Sequence, residues 1–288
     1  MPMSAKLLIR TLTILLLAAL FSPLSCTHPP SVDIMAGSSF ITDITQDLAD
    51  DKAEVHNLIP PGMCPGHYDV KPSDMETLAN SKAFFIHNWQ QDKANIIRLI
   101  EAADNHNLII KVIDIPDAPM VPEVQVEAID KIAQAMSEID STNSDYYLKQ
   151  ADARKQAVLA QGEEIQSRLR DLALNEVKVI CSEMQAGFVK WVGFDVVATY
   201  GRLEDLSVAD VENLVNQAKQ AGAVLVIDNL QSGEPACSEA MARDIGAIQV
   251  SISNFPGAFE NTRTWRQAMD KNVDLLLEAL HNWRQQHG

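Results

Sequence analysis

The sequence predicts an α/β protein of two lobes, each with a parallel sheet, bridged by one long α-helix. Strands that are apolar on both faces, such as residues 108–113, alternate with helices, as is typical of parallel sheets covered on both sides. This alternation runs through residues 31–142 and restarts in residues 175–288. Residues 143–174 between them contain one glycine and no proline. A helix of about 30 residues would be about 45 Å long, farther than a small lobe is wide, so it suits a bridge.

The first lobe is predicted to alternate four strands with four helices. The strands are 32–36, 54–59, 83–86 and 108–113, and the helices cover 40–48, a short segment from residue 73, 92–103 and 123–139. Pro60-Pro61-Gly62 ends the second strand, and three prolines mark the loop after the fourth. Ser73 with Glu76 has the spacing of a capping box, which predicts that Ser73 caps the short helix.

The second lobe repeats the alternation after the bridging helix. Its predicted strands are 177–181, 195–200, 223–228 and 247–252, and its helices are 184–191, 207–221, 235–244 and 264–286. Ser207 and Asp210 form a second capping-box signal at the start of a helix. The sequence itself shows no internal repeat.

Composition and charge exclude several classes of partner. The chain has 288 residues, 47% of them hydrophobic, so it is long and apolar enough for a large folded core. It carries 39 acidic and 23 basic residues, a formal charge of −16. A protein this acidic lacks the basic surface that binds nucleic acids or anionic lipid headgroups. We therefore expect no nucleic-acid partner.

Residues 1–25 are predicted to be an export signal and not part of the fold. Lys6 and Arg10 precede a short uncharged apolar run, 11–21, and small, turn-forming residues follow it. Ser25-Cys26 resembles the end of a bacterial lipoprotein signal, which predicts lipidation of Cys26; a plain secretory signal cut nearby is the alternative. We expect an exported protein, periplasmic or on the outer face of the cytoplasmic membrane, that touches the membrane only through this anchor.

One segment carries a family resemblance. Residues 58–74 read LIPPGMCPGHYDVKPSD, with a Pro-Pro-Gly turn, a histidine, a tyrosine and Lys-Pro-Ser-Asp before a helix. This segment resembles the cluster A-I solute-binding proteins of metal ABC transporters, the zinc and manganese uptake family, and the likeness extends over nearly the whole chain after the leader. It implies a bilobal fold, a metal ion as cargo, an ABC permease as partner and a transport role.

The resemblance also implies a ligand set, from which this chain departs. Family members hold a divalent ion between the lobes through about four side chains, either three His and one carboxylate or two of each. The first position corresponds to His67, displaced by one residue, and the third to Glu183. The second falls in Pro119-Met120-Val121-Pro122, which has no histidine, and the fourth falls on Asn254.

The ends of the predicted strands supply further donors. Ligands of open α/β sheets bind beyond the carboxyl ends of the strands, so the side chains there should face one cleft. The predicted metal ligands are Cys64, His67, His87, Cys181 and Glu183, with Asp228 nearby to orient one of them. Imidazole, thiolate and carboxylate are zinc ligands, so we expect zinc first, with manganese or a softer ion as alternatives.

Other interpretations stay open at this level. Cys64 and Cys181 could equally be buried thiols or form a disulfide. His87 could simply end a strand, and Glu183 could be an acidic residue that the helix dipole favours in the first turn of a helix. The cleft could hold a metal chelate or a tetrapyrrole, or the chain could be a surface lipoprotein with a protein partner. No GxSxG, HExxH, P-loop or GxGxxG motif is present, so we predict no enzymatic activity.

Overall fold

The computed structural model of the chain describes residues 32–202, 205–232 and 235–287. The predicted leader 1–25 and the lipidation site Cys26 lie outside the described residues. In the part of the chain that is described, no helix combines the length and the apolar character needed to cross a bilayer.

The first lobe contains a four-stranded, fully parallel sheet in the order β2-β1-β3-β4. Its strands are β1 (Val32–Ala36), β2 (Ala53–Asn57), β3 (Ala83–His87) and β4 (Ile109–Ile113). The helices that connect and cover them are α1 (Ser39–Ala49), α2 (Pro72–Asn80), α3 (Ala94–Ala103) and α4 (Pro122–Ile139). All residues of β3 are buried, which fits its apolar run of residues 83–86; the strand ends at His87.

The second lobe has the same arrangement, with a parallel sheet in the order β6-β5-β7-β8. Its strands are β5 (Lys178–Ser182), β6 (Asp195–Tyr200), β7 (Leu225–Asn229) and β8 (Ile248–Ile252). The 26-residue helix α5 (Ser144–Leu169) joins the lobes, and α6 (Ala186–Val192), α7 (Val208–Ala221), α8 (Ala236–Ile245) and α9 (Trp265–His287) follow. The predicted fold class, two parallel-sheet α/β lobes bridged by one long helix, is confirmed.

Two local predictions differ from the structure. The prediction that Ser73 caps a helix is wrong: α2 begins at Pro72, and the Asp74 carboxylate accepts hydrogen bonds from the Lys71 backbone N–H (2.8 Å) and the Tyr68 hydroxyl (2.7 Å). Proline suits the first turn because the N–H that it lacks would have no partner there. The bridging helix ends at Leu169, and 3₁₀ turns follow. The lobe boundaries 31–142 and 175–288 stay predictions.

A continuous hydrophobic core spans both lobes. It includes Ile34 and Phe85 in the first sheet, Val179 and Leu225 in the second, and Trp265 at the start of α9. The Trp265 indole N–H also donates to the backbone oxygen of Pro119, 3.0 Å away. Because side chains of both sheets share one packed core, the lobes are held together by more than the connecting helix.

Close backbone approach adds to this packing. Gly162 lies in the middle of α5, where a Cβ atom would sit 2.8 Å from the Pro122 ring and 3.7 Å from Trp191. Pro122 begins α4 of the first lobe, and Trp191 lies on α6 of the second. The single glycine of α5 therefore marks the place where the helix meets both lobes.

Candidate metal-binding cleft

A cleft of about 440 Å³ opens between the lobes, at the carboxyl ends of the parallel strands. The cleft is lined by the last residues of three strands, His87 of β3, Ser182 of β5 and Asn229 of β7, and by Glu183, which directly follows β5. This is the edge at which open α/β sheets bind their ligands. The position of the cleft follows directly from the strand order of the two sheets.

Buried glutamines hold the strand ends in place. A 3₁₀ turn follows each of β3, β5 and β7, at 88–90, 183–185 and 230–232. Gln90 donates to the Gly37 backbone oxygen at 3.0 Å, and its own side-chain oxygen accepts from the His87 backbone N–H at 2.9 Å. This amide therefore ties the end of β3 to the end of β1.

The second lobe uses the same device. The Gln185 amide donates to the Asn229 side-chain oxygen at 3.1 Å and to the Ile252 backbone oxygen at 3.2 Å. Gln231 donates to the Pro61 backbone oxygen at 2.8 Å, which joins the second lobe to the first. The floor of the cleft is thus fixed by buried amide hydrogen bonds.

His87 is the predicted metal ligand that the first lobe buries at the cleft. The residue is only 3% exposed. Its Nε2 lies 2.7 Å from the Ser38 hydroxyl oxygen, and its ring stacks on Trp89 with the ring centroids 4.9 Å apart. Burial lowers the pKa of His87 to about 3, so the imidazole is neutral at physiological pH. A neutral imidazole is the form that binds metals.

Glu183 is the carboxylate that the second lobe contributes. It is exposed, lines the cleft and begins the 3₁₀ turn after β5. One of its oxygens would lie 3.9 Å from a Cβ atom on Gly201, so the carboxylate rests beside the chain that leaves β6. His87 and Glu183 therefore approach the same space from different lobes.

Cys64 lies beside the cleft and contacts it through Arg202. The Arg202 guanidinium donates to the Cys64 sulfur at 3.0 Å, and Arg202, Pro65 and Gly66 line the cleft. This contact joins a loop of the first lobe to a loop of the second. Cys64, Cys181 and Cys237 are all free thiols, so the Cys64–Cys181 disulfide left open by the sequence is not formed.

The structure places Cys181 and His67 outside the cleft lining. Cys181 is fully buried and packs in the hydrophobic core shared by the lobes, where burial raises the pKa of its thiol to about 12. His67 ends the 3₁₀ turn Pro65–His67 and is exposed. Of the five predicted ligands, His87 and Glu183 line the cleft and Cys64 borders it.

The remaining sequence candidates have other surroundings. Met120 is fully buried in the core. Asp228 accepts hydrogen bonds from the Ser238 hydroxyl (2.7 Å) and the Asn229 backbone N–H (2.8 Å). Asn254 lines the cleft with its side-chain oxygen buried and without a hydrogen-bond partner among the described residues. A buried oxygen of this kind is costly unless a ligand satisfies it.

Within the described ranges, one set of three side chains has ligand atoms close enough to hold a metal ion, and it lies outside the cleft lining. Asp33, Glu54 and His56, on the neighbouring strands β1 and β2, have ligand atoms within 4.8 Å of one another. An assay of metal binding must therefore distinguish this group from the cleft.

Sequence reasoning missed several polar residues of the cleft region, among them Lys93, Asp117 and Arg202 in its lining and the buried Gln90 and Gln185 beneath it. The glutamines carried a usable signal, because each stands three residues after the last residue of a strand, in His87-Asn88-Trp89-Gln90 and Ser182-Glu183-Met184-Gln185. Arg202 and Lys93 had no such signal, since their place at the cleft depends on how the lobes pack.

Residues 34–279 match the family model described as "ZnuA: Zinc-uptake complex component A periplasmic". The chain is 24% identical over 190 residues to the metal ABC transporter substrate-binding lipoprotein ScbA of Streptococcus cristatus, covering 58% of this chain and 61% of that protein. It therefore spans less than two thirds of that relative's length. It is 30% identical over 78 residues to the manganese ABC transporter substrate-binding lipoprotein PsaA of Streptococcus pneumoniae, 25% of each chain.

A solved structure shares the fold. The manganese-bound periplasmic metal-binding protein of Candidatus Liberibacter asiaticus superposes with a TM-score of 0.72 at 14% identity, covering 87% of this chain and all of that one.

Proposed function

Because the chain belongs to the family of periplasmic A components of zinc-uptake complexes, we propose that it is the metal-binding component of an ABC importer. In this role it captures a transition-metal ion outside the cytoplasmic membrane and delivers the ion to a permease. The role is one of transport, with no chemical conversion of the cargo. Export would use residues 1–25, and Cys26 would carry the lipid anchor.

The observation that carries this proposal is the cleft between the lobes, where His87 from the first lobe and Glu183 from the second are side chains of types that bind metals. His87 of the first lobe is a neutral imidazole, and Glu183 of the second is an exposed carboxylate. Imidazole nitrogen and carboxylate oxygen together suit zinc, which we place first; manganese, named for one relative, and softer ions are the alternatives.

We propose His87 and Glu183 as the central ligands and Cys64 as the next. Cys64 would need to exchange its contact with Arg202 for the metal. Cys181 and His67 completed the set predicted from the sequence; to reach the cleft, Cys181 would have to leave the core and His67 would have to turn from solvent. Because the lobes share one core, we expect them to move little when the metal binds. Selectivity among metals would then depend on the side chains that coordinate the ion.

Elemental analysis of the protein purified without chelator tests the proposal. We expect stoichiometric transition metal, zinc above all, in wild type and in His56→Ala, which removes the Asp33–Glu54–His56 group. Glu183→Gln should lose most of this metal, because the substitution keeps the shape of an exposed side chain and removes its charge. The matched control is Glu212→Gln on the exposed face of α7, which should bind like wild type.

Two results would contradict the proposal. Protein without metal would favour a surface lipoprotein whose partner is another protein. Metal that disappears in His56→Ala and persists in Glu183→Gln would place the ion on strands β1 and β2 and leave the cleft without a role in capture.

A further inference from the structure

The group Asp33, Glu54 and His56 lies on the first sheet, apart from the cleft. Its strands, β1 and β2, contribute no residue to the lining of the cleft. Asp33 stands three residues before the carboxyl end of β1, and at about 3.3 Å per residue this is about 10 Å from the edge at which the cleft opens. Whatever this group binds is therefore bound outside the cleft.

The strand register brings the three side chains together. In the parallel pair β1 and β2, Asp33 lies opposite Glu54, and His56 follows two residues later on β2. Residues two apart on a strand share a face, so all three side chains are on the same side of the sheet. Their ligand atoms lie within 4.8 Å of one another. Hydrogen-bonded strands, and not a loop, hold the backbone of this group in place.

The distance between His56 and Glu54 suits two ligands of one ion. The His56 Nε2 lies 3.7 Å from a Glu54 carboxylate oxygen, which is too far for a hydrogen bond. Two atoms that each lie about 2.1 Å from a tetrahedral zinc ion are about 3.4 Å apart. The Glu54 side chain is 64% exposed, so it is free to close the remaining distance, and an ion can reach the group from solvent.

The charge pattern of the two strands also indicates a cation. Asp33 is the one charged residue of β1, a central strand, and it faces the acidic Glu54. Like charges opposite each other on neighbouring strands are destabilising. A charge on the edge strand β2 protects against unwanted strand pairing, but this does not explain a second acid on the inner strand. Among the described residues, neither carboxylate forms an ion pair with a lysine or arginine. A divalent cation between them would replace repulsion with attraction.

We propose that Asp33, Glu54 and His56 form a second metal site, which takes a divalent transition-metal ion, zinc first, in addition to the ion in the cleft. One imidazole nitrogen and two carboxylate oxygens are zinc ligands, and water completes the coordination. The site is partly exposed and has three protein ligands, so it holds zinc more weakly than the cleft and loses it during purification. No cleft residue takes part, so this inference does not depend on the proposed function.

Modification of histidines by diethyl pyrocarbonate, measured by peptide mass spectrometry, tests this inference. The reagent attacks accessible neutral imidazole, and zinc on the ring nitrogen blocks it. The matched control is His106, whose Nε2 also lies 3.7 Å from a carboxylate oxygen, that of Asp104, but which belongs to no group of three donors in the described chain. With metal-stripped protein and zinc chloride at about ten times the Kd, modification of His56 should slow about tenfold, and that of His106 should be unchanged.

Substitutions identify the other two ligands. Glu54→Gln and Asp33→Asn keep the shape of the side chain and remove its charge, so each should raise the zinc concentration that protects His56 by at least about tenfold. Glu212→Gln, the same change on the exposed face of α7, should leave the protection as in wild type. Glu183→Gln, which alters the cleft, should also leave it unchanged.

The outcomes separate this inference from the proposed function. Zinc that fails to slow modification of His56, or that slows it no more than at His106, overturns the inference. Protection of His56 that is undiminished in both Glu54→Gln and Asp33→Asn overturns it as well. Protection of His56 in a protein whose cleft binds no metal would support this inference and contradict the proposed function.

Discussion

Breaking the buried ion pair between Arg154 and Asp43 should destabilise the protein strongly, because it would leave a buried carboxylate without its partner. Arg154 lies on α5 and Asp43 on α1, and their side chains are only 10% and 9% exposed. Arg154 also donates to the Asp43 backbone oxygen at 3.1 Å, and the Trp265 backbone N–H donates to the Asp43 carboxylate at 3.2 Å. The pair therefore joins the first lobe, the bridging helix and the C-terminal helix.

We expect Arg154→Met to lower the free energy of unfolding by about 3–5 kcal/mol. Methionine keeps much of the apolar part of the arginine side chain. The main loss is therefore the positive charge that pairs with the buried Asp43 carboxylate. Removing one partner of a buried pair costs this much because the other charge remains in a poorly solvated place. Such a loss is a large fraction of the stability of an ordinary domain.

The cost should depend on pH. Burial raises the pKa of the Asp43 carboxyl above its usual value of 3.8, and Arg154 opposes this rise. Without Arg154 the pKa of Asp43 in the folded state rises further above its unfolded value, so the folded state binds the extra proton. Stability is then retained at low pH and lost as the pH rises through the folded pKa. Arg154→Met should therefore be more destabilised at pH 8 than at pH 5, relative to wild type.

Urea unfolding followed by tryptophan fluorescence measures both effects, since the chain has four tryptophans. The matched control is Arg168→Met on the same helix, where the arginine is 44% exposed and its Asp274 partner 62% exposed, with 3.1 Å between nitrogen and oxygen. An exposed pair of this kind contributes at most about 1 kcal/mol. If Arg154→Met destabilises no more than Arg168→Met, or equally at both pH values, the reasoning is wrong.

Two further predictions follow from packing and burial. Gly162→Ala should lower the melting temperature, although the same change gains about 1 kcal/mol in an ordinary helix interior, because the new methyl group would meet Pro122 at 2.8 Å; a thermal scan that shows stabilisation would contradict this. Iodoacetamide should label exposed Cys237 in the native protein and reach Cys181 only after denaturation, as peptide mass spectrometry can determine; rapid native labelling of Cys181 would mean that its surroundings open readily.

The fold was predictable because its signals are local. Apolar runs such as 108–113 and breaks such as Pro60-Pro61-Gly62 determine the elements without knowledge of the partner strands. The capping prediction at Ser73 failed for an equally local reason. Two possible helix starts overlap there, one at Ser73 and one at Pro72. The helix begins at Pro72, and the Asp74 carboxylate accepts the hydrogen bond from the Lys71 backbone N–H.

The site was less predictable, because a position near a strand end does not determine which way a side chain faces. Cys181 stands one residue before the end of β5, and alternation along the strand turns it into the shared core. His67 lies in a turn two residues after Pro65, and the turn carries Pro65 and Gly66 to the cleft while His67 faces solvent. Arg202 entered the cleft through the packing of one lobe on the other, which no local pattern reveals.

The common strand order of the two sheets explains why the donors lie where they do. In each lobe the chain leaves a central strand, β1 or β5, first to one side and then to the other, so a crevice opens beside that strand at its carboxyl end. Gln90 and Gln185 span these two crevices with side-chain amides. The side chains that line the cleft from these strand ends therefore stand on backbone that buried hydrogen bonds hold in place.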